Sequence, residues 1–513
     1  MSLRKISRSP LLYPFLFAAY PIVFLWGQNR GSSVPGWDLF KVVAAVLVVT
    51  GIVFALLSWA LHDVSRGALA TAIIMLLALT FGRAAAVFDV VIGMPEHTAI
   101  LCAWVLFGVT GVLVARGLQS PERATPTLNL IAAILLVMNI VPAAASLGRG
   151  AAPNVSARTD LPPGVLHAPP GQLRDVYYVI FDRYAGPRTL SDLYGYDDTP
   201  FVSALREDGF TVVDNALANY PQTTHSLASS LNMTTLDGLA EAVGVDASDR
   251  APLQASFTNP TVVRAFRTLG YKYEHVGSWW SVTWVDPTAD HNFVYGGVPE
   301  FAKVFLDTTI EPTVAQLTNI DSATFERQAY DRIAFQEQSL QQIAQDPAPT
   351  FTFAHFLLPH PPYVFAPDGS YVPPGGDRSD EQAYIDQLRY TNDFIVSLEQ
   401  ELRAAPGPQP IIVIQSDEGP HPPRLDIPYE LKQAWSEASV EDLGRKLRIL
   451  NAYYLPGLKR DPIYADITPV NSFRVILDAY FGADLPLLPD RTFIYTDYDH
   501  PYRFEDVTDK LRP

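Results

Sequence analysis

Two adjacent carboxylates close a strongly apolar stretch in the last quarter of the sequence. The stretch PIIVIQSDEGPHP, residues 410–422, runs through four β-branched apolar residues before it reaches Asp417 and Glu418. Such a run is typical of a buried β-strand, which has no need of two acids at its end. Because carboxylate oxygens bind divalent cations, the pair indicates a metal site. A plainer interpretation is that Asp417 only caps the turn after the strand.

Other polar side chains follow further strand-like runs. DVYYVIFD ends at Asp182, and TFTFAHFLLPH ends at His360. The short helical stretch TTHSLASSLN supplies hydroxyls at Thr223, Thr224 and Ser226. Apolar strands spaced by helices indicate an α/β sheet covered on both faces, and ligands of such sheets gather at the carboxyl ends of strands. We therefore expect an oxygen cage for a divalent cation, with an oxygen nucleophile beside it.

The first third of the chain is apolar. Its five apolar stretches are each close to the ~20 residues that cross the hydrocarbon core as a helix. They lie at about 11–27, 38–61, 67–88, 99–117 and 128–147. Almost no charges interrupt them, which favours membrane-spanning helices over a soluble bundle. We expect a five-helix transmembrane domain over residues 1–150.

The basic residues between these stretches predict the orientation. With the N-terminus inside, the cytoplasmic segments hold Arg4, Lys5, Arg8, Arg66, Arg116 and Arg123, and the opposite side holds mainly Arg30 and Arg149. This asymmetry favours a cytoplasmic N-terminus. Five crossings then place a linker, 151–172, and an α/β domain, 173–513, outside the cytoplasm. The sequence predicts a multi-pass protein of the cell membrane with an extracytoplasmic C-terminal domain.

Composition excludes several classes of function. The 513 residues include 54 acidic and 37 basic side chains, and residues 172–513 carry a net charge of −22. A domain this acidic does not suit nucleic acid, since little would neutralise the phosphates. The single cysteine, Cys102, excludes a disulfide framework and a thiolate metal site. An anionic polymer would meet only local basic groups such as Arg183 or Arg424.

Five motifs occur together in a characteristic order. VYYVIFDRYA is followed by NYPQTTHSLASSLN, HFLLPHPPYVF, IIVIQSDEGP and ILNAYYLPG. In this order the chain resembles the alkaline phosphatase/sulfatase-like superfamily over about residues 175–485. Together with the N-terminal apolar stretches, it resembles the membrane-anchored branch that contains lipoteichoic acid synthases and lipid A phosphoethanolamine transferases. The resemblance implies a central mixed sheet between helices.

The resemblance also implies a set of site residues. One divalent metal is expected on Asp182, Thr223, Asp417 and Glu418, with Thr223 as the nucleophile. Thr223 fits the family context Thr-x-x-Ser, in which Ser226 is the serine. The family has histidine where this chain has Glu418, so the ligand set becomes all oxygen. Such a set suits manganese, magnesium or calcium better than zinc.

Two histidines are further candidates for site residues. The resemblance implies that His360 contacts the phosphoryl group and acts with Thr223 in catalysis. His421, three residues after Glu418, could replace the missing imidazole, although Pro420 and Pro422 stiffen its loop. Glu418 can thus be read as a metal ligand, or as a residue whose place His421 takes at the metal. A third interpretation is that the chain is an inactive relative that binds no metal.

The resemblance implies a transferase that moves a phosphoryl-linked group, such as phosphoglycerol or phosphoethanolamine, through a phosphothreonine intermediate. The expected donor is a membrane lipid, and the expected acceptor is an envelope glycan or lipid. One alternative is an extracytoplasmic phosphoesterase of the same fold, and another is an inactive glycan-binding or scaffold relative. Sulfate-ester hydrolysis is disfavoured, because TTHSLASS has neither proline nor arginine at the places that a formylglycine motif requires.

Overall fold

The computed structural model describes residues 11–28, 36–92, 97–148, 157–159, 161–162, 164–168, 173–318, 323–373, 378–423 and 434–512. The chain divides into two compact units. The first comprises Met1–Ala151 and Val298–Ser322, and the second comprises Ala152–Gly297 and Ala323–Pro513. The structure therefore assigns residues 298–322 differently from the predicted boundaries, which place them in the C-terminal domain.

The first unit is built from apolar helices. They are α1 (Tyr13–Gln28), α2 (Gly36–Ala60), α3 (Val64–Ile92), α4 (His97–Gly117) and α5 (Thr125–Gly148), with a 3-10 turn at Pro121–Ala124. Within the described residues, four segments are long and apolar enough to cross a membrane, and α1 is a shorter apolar helix. Large apolar side chains such as Trp59, Leu106 and Met138 are 66–74% exposed. Apolar surface of this extent suits a lipid environment.

The segment 298–322 packs against these helices. Phe301 and Phe305 are buried in a cluster with side chains of α1, α2 and α3. The amide of Gly82 in α3 donates to the carbonyl of Thr308 at 3.0 Å, and the amide of Ile310 donates to the carbonyl of Ala78 at 2.8 Å. In a regular helix the Gly82 amide would bond to Ala78. Thr308 and Ile310 therefore bond to the Gly82 amide and the Ala78 carbonyl, the two groups that would pair with each other in a regular helix.

A seven-stranded mixed sheet forms the centre of the second unit. Its strands are β1 (Val176–Phe181), β2 (Thr211–Val212), β3 (Lys272–Val276), β4 (His291–Phe293), β5 (Thr350–Phe356), β6 (Ile411–Gln415) and β7 (Asn451–Tyr454). The strand order is β2-β7-β6-β1-β5-β3-β4. The pairs β1–β5, β1–β6, β3–β5 and β3–β4 are parallel, and β2–β7 and β6–β7 are antiparallel. The predicted α/β fold with a mixed central sheet is confirmed.

Each face of the sheet carries its own hydrophobic core. Side chains of a strand alternate between faces, so Val176, Tyr178 and Ile180 of β1 enter one core and Tyr177, Val179 and Phe181 the other. Burial on both faces explains the continuous apolar runs of the sequence. A separate two-stranded sheet pairs β8 (Phe493–Tyr495) with β9 (Phe504–Asp506).

The remaining helices of the described residues follow the fifth apolar helix along the chain. They are α6 (Pro187–Tyr194), α7 (Thr199–Glu207), α8 (Thr223–Asn232), α9 (Asp237–Val243), α10 (Ala251–Ala255), α11 (Thr261–Thr268), α12 (Ser281–Trp284), α13 (Glu300–Asp307), α14 (Glu311–Thr318), α15 (Ala323–Ile343), α16 (Asp380–Ala404), α17 (Val440–Leu447), α18 (Pro469–Phe481) and α19 (Thr508–Leu511). Of these, α13 and α14 belong to the first unit. Helices α8 and α17 bear directly on the candidate site.

Candidate active site

The carboxyl ends of neighbouring parallel strands bring three acids together. Asp182 directly follows β1, and its amide donates to the carbonyl of Phe356 in β5 at 2.9 Å. Asp417 and Glu418 follow β6, which is the other neighbour of β1. The hydroxyl of Ser416 joins the two strand ends, since it accepts from the Tyr184 amide at 3.0 Å and donates to the Glu418 carbonyl at 2.7 Å. The strand ends therefore converge as the sequence predicts.

A fourth group of the site, His355, comes from inside β5 and was missed by the sequence analysis. Its Nε2 atom lies 3.6 Å from Asp182 Oδ2. Its Nδ1 atom is hydrogen-bonded to the hydroxyl of Thr283 at 2.8 Å, which fixes the ring orientation. Burial lowers the pKa of His355 to about 4, so the imidazole is neutral and can act as a metal ligand.

Asp182, His355 and Asp417 form a cluster of the kind that holds a metal ion. Each offers a ligand atom, and these atoms lie within 4.8 Å of one another. The three residues are at most 4% exposed. Within the part of the chain that the structure describes, Asp182 Oδ1, both carboxylate oxygens of Asp417 and His355 Nε2 make no hydrogen bond of ordinary geometry. Buried charges are costly unless they are compensated, so these residues fit a divalent cation.

The pKa values of the acids reflect the same concentration of negative charge. Burial, followed by the charge of the Glu418 carboxylate, raises the pKa of Asp182 to about 7, and the charges of Arg183 and Lys446 oppose the rise. Burial, followed by the charges of Asp182 and Glu418, raises the pKa of Asp417 well above its usual range. A bound cation would stabilise the ionised form of both.

Thr223 places its hydroxyl at this cluster. Pro221 precedes it, Gln222 is extended, and Thr223 begins α8, all ten residues of which are buried. The Thr223 side chain lies beside Asp417 and lowers the pKa of that carboxyl, although the two side chains do not reach ordinary hydrogen-bond geometry. Ser226, one turn along α8, is 1% exposed.

Glu418 has a partner that the sequence did not indicate. Its Oε1 atom accepts a hydrogen bond from Lys446 Nζ at 2.6 Å, and both side chains are buried. Arg183 Nε lies 3.7 Å from the same oxygen. Glu418 Oε2 has no hydrogen-bond partner among the described residues.

Two other candidate histidines lie near these groups. Burial, then the charge of Arg183, lowers the pKa of His360 well below its usual range, and Lys446 contributes too. His421 is half-buried, its pKa is likewise lowered well below the usual range by desolvation and then by the charge of Lys446, and its ring stacks on Trp435 with 6.0 Å between centroids. Neither belongs to the described cluster within 4.8 Å. Arg424 lies outside the described residues.

The family of the chain follows from its sequence over the second unit. The Sulfatase family model matches residues 174–465, more than half of the chain. The chain belongs to the Sulfatase family. The resemblance to the alkaline phosphatase/sulfatase-like superfamily is confirmed. Comparison with curated proteins finds no match.

Solved structures similar to this Sulfatase family chain include transferases and a hydrolase. The C-terminal periplasmic domain of EptC from Escherichia coli has 16% identity and a TM-score of 0.44, covering 68% of this chain and 96% of its own. The integral membrane lipooligosaccharide phosphoethanolamine transferase A from Neisseria meningitidis has 14% identity and a TM-score of 0.37, covering 86% of this chain and 87% of its own. The phosphonate monoester hydrolase of Agrobacterium radiobacter has 13% identity and a TM-score of 0.38, covering 63% of this chain and 80% of its own. Such distant likenesses do not assign a reaction to this member of the Sulfatase family.

Proposed function

We propose that the chain is a metal-dependent phosphotransferase with Thr223 as its nucleophile. The observation that carries the proposal is the position of the Thr223 side chain at the buried Asp182–His355–Asp417 cluster. A hydroxyl beside three groups that suit a divalent cation is the arrangement that activates an oxygen nucleophile. Formylglycine chemistry is not proposed, since the site has a threonine in that place and lacks the required motif.

Asp182, His355 and Asp417 would hold the metal together with Thr223. When bound, a divalent metal supplies Lewis-acid stabilisation of the Thr223 alkoxide and of the phosphoryl oxygens. Zinc was expected to bind less well because the predicted ligands were all oxygen atoms. The His355 imidazole adds a nitrogen donor, so that reason no longer applies. We propose zinc or manganese, because imidazole and carboxylate together suit both.

The reaction would proceed in two displacements at phosphorus. Thr223 Oγ1 forms a bond to the phosphorus of a lipid phosphodiester, the bond from phosphorus to the lipid oxygen breaks, and the hydroxyl proton ends on that leaving oxygen. An acceptor hydroxyl then attacks the phosphothreonine, and the proton it loses returns to Thr223 Oγ1. Asp417 orients the Thr223 hydroxyl before the first step.

His360 and Arg183 would assist the proposed reaction without binding the metal. With its pKa depressed by burial and by Arg183, His360 is an uncharged proton acceptor at neutral pH. A base this weak would not remove the proton by itself, but its neutral imidazole would accept a hydrogen bond from the acceptor hydroxyl and orient it in the second step. Arg183 is positively charged and lies beside Glu418, where it would attract an anionic phosphoryl group.

The apolar helices of the first unit support a lipid donor. A soluble phosphate ester would require no membrane anchor, whereas a phospholipid is reached only by an enzyme that stays at the bilayer. We propose an envelope glycan or lipid as the acceptor. An excess of 22 negative charges over residues 172–513 disfavours a long anionic acceptor bound over a broad surface.

Trapping the intermediate tests this proposal. The full-length protein in detergent would be mixed with phosphatidylethanolamine or phosphatidylglycerol in the presence of zinc or manganese, quenched in acid and digested. Mass spectrometry should find a phosphoethanolamine or phosphoglycerol adduct on the peptide with TTHSLASSLN, located at Thr223. Thr223→Ala should abolish both the adduct and lipid turnover.

Thr224→Ala is the matched control, because both threonines are buried at the start of α8. It should keep most of the turnover, since the neighbouring side chain projects about 100° away around the helix. An adduct on Thr224 or Ser226, or full activity in Thr223→Ala, would contradict the assignment. Turnover that is independent of any acceptor except water would favour a phosphoesterase.

A further inference from the structure

Glu418 and Lys446 form a buried ion pair at the edge of the metal cluster. Lys446 Nζ donates to Glu418 Oε1 at 2.6 Å and to the carbonyl of Gly419 at 3.0 Å. Lys446 is 0% exposed and Glu418 is 3% exposed. The pair is therefore shielded from the solvent that weakens a surface ion pair.

Local structure holds the two partners rigidly together. Lys446 belongs to α17, whose first turn is closed by reciprocal hydrogen bonds between Ser439 and Asp442. The Gly419 amide donates to the Lys446 carbonyl at 2.7 Å. A Cβ atom on Gly419 would lie 2.2 Å from the Arg445 carbonyl oxygen, so only glycine permits this approach. The loop after Asp417 and the end of α17 thus form one fixed unit.

The pair has a consequence for the charge of the site. Asp182 and Asp417 supply two negative charges, which match a divalent cation. An isolated Glu418 would add a third, but the directly hydrogen-bonded Lys446 ammonium cancels it, and the Arg183 guanidinium lies further off, at 3.7 Å from the same oxygen. In families that this chain resembles, a neutral histidine follows the metal aspartate, so Glu418 and Lys446 together carry the same net charge as that imidazole.

We propose that Lys446 is a positioning residue of the metal site, which neutralises Glu418 and so keeps the charge around the cation at the value that catalysis requires. The inference rests on the proposed function only in requiring that the cluster binds a divalent metal. Too negative a site holds the cation tightly but leaves it a weaker Lewis acid, and it repels an anionic phosphodiester.

The proposal predicts opposite effects for removing each charge. Lys446→Met leaves Glu418 with only the more distant Arg183 guanidinium, 3.7 Å away, as a positive partner. Metal affinity should therefore rise by at least roughly tenfold while lipid turnover falls by at least roughly tenfold, given the strength of charge interactions in a partly desolvated site. Glu418→Gln leaves the ammonium uncompensated, so metal affinity should fall by a similar factor. The double variant Glu418→Gln/Lys446→Met should return metal affinity to within about threefold of the original protein.

A purely structural role of Lys446 predicts a different pattern, in which Lys446→Met loses metal affinity and activity together. Lys446→Arg keeps the charge and is the matched control for packing. If Lys446→Met does not fold, Glu418→Gln and the double variant still separate the two interpretations, since only charge compensation predicts that removing the second charge restores affinity.

The experiment measures zinc and manganese affinity of the full-length protein in detergent by competition with a chelator, with thermal unfolding as a check on folding. Opposite shifts of the two single variants and recovery in the double variant support the inference. Unchanged affinity in both single variants, or a double variant no better than the worse single one, overturns it. Absence of metal binding in the original protein would instead overturn the proposed function, so the two failures are distinguishable.

Discussion

His355 Nε2 and Asp182 Oδ2 lie 3.6 Å apart, although no hydrogen bond joins them. The two residues belong to neighbouring parallel strands, where His355 is in register with Ile180, two residues before Asp182. The other ring nitrogen of His355 is occupied by Thr283. The unoccupied nitrogen therefore faces the acids, which is the orientation of a metal-binding histidine held by a hydrogen bond on its far side.

Replacing His355 should weaken metal binding. We expect His355→Ala to lower the affinity for zinc by roughly 100-fold or more. This loss exceeds the roughly 10–100-fold loss of affinity that follows removal of a residue that only hydrogen-bonds to a ligand. Elemental analysis of the purified full-length protein after dialysis against a weak chelator measures the metal content. Loss of the nitrogen donor should affect zinc more than magnesium, because magnesium prefers oxygen.

His275→Ala is the matched control for this substitution. His275 is also a buried strand histidine, but both of its ring nitrogens have partners, Tyr273 at 3.1 Å and the Thr283 carbonyl at 2.9 Å. Its removal should destabilise the fold without a specific loss of metal. Equal metal content in the two variants would show that His355 is not a ligand.

The sequence predicted the strand-end acids but not their partners. A residue that follows an apolar run is conspicuous, whereas His355 sits within a run and at the spacing of Phe351 and Phe353, which are packed in the core. Lys446 lies 28 residues from Glu418, and no sequence pattern links a helical lysine with a distant glutamate. Periodicity identifies elements, but these two contacts depend on how the elements pack.

The sequence does not indicate that segment 298–322 belongs to the first unit, and the reason is similar. Its short helices resemble others of an α/β domain, and their attachment depends on backbone atoms of Ala78 and Gly82. Backbone hydrogen bonds between distant segments leave almost no trace in residue types. The one available signal, Gly82 within α3, is compatible with many packing arrangements.

The predicted orientation in the membrane can be tested with single cysteines. In a Cys102→Ser background, Asp214→Cys should react with a membrane-impermeant maleimide in intact spheroplasts, since the second unit is expected outside the cytoplasm. Gln119→Cys, in the exposed turn after α4, should react only after lysis. The physical reason is the excess of basic residues in the segments assigned to the cytoplasm. Labelling of Gln119→Cys before lysis, with Asp214→Cys protected, would reverse the topology.

A side chain at Gly82 should disturb the docking of segment 298–322. The Cβ atom of Gly82→Ala would lie 2.2 Å from the Asp307 carbonyl oxygen and 2.9 Å from the Thr308 carbonyl carbon. The segment must shift, so we expect amide hydrogen exchange in residues 298–318 to speed up by at least roughly tenfold. Hydrogen-exchange mass spectrometry of the full-length protein makes the measurement.

Gly108→Ala provides the comparison in another apolar helix. Its Cβ atom would meet only a Leu77 methyl group at 3.6 Å, an ordinary contact. Alanine favours helix over glycine by about 1 kcal/mol, so helix propensity alone predicts that both substitutions stabilise. Slower exchange in Gly82→Ala would contradict the docking interpretation.

Asp198 should make the stability of the protein depend on pH. Its carboxylate is buried and accepts hydrogen bonds from Asn392 Nδ2 at 2.8 Å and from the Tyr184 hydroxyl at 3.2 Å. Burial raises its pKa to about 7, with these hydrogen bonds opposing the rise. The unfolded chain has the ordinary value of about 4, so the folded state binds the proton more tightly. Stability contributed by the protonated carboxyl is therefore present at low pH and is lost as pH rises from about 4 to about 7.

Asp198→Asn removes this titration while it preserves the size and most of the hydrogen-bonding capacity of the side chain. We expect the variant to be more stable than the original protein at pH 8, by roughly 2–4 kcal/mol, and similar to it near pH 4. Thermal unfolding of the full-length protein in detergent across this range measures the difference. Asp197→Asn is the control, because Asp197 is exposed and the Thr199 hydroxyl and amide lower its pKa. A stability gain for Asp198→Asn that is equal at all pH values would mean that the variant acts through packing and not through the buried charge.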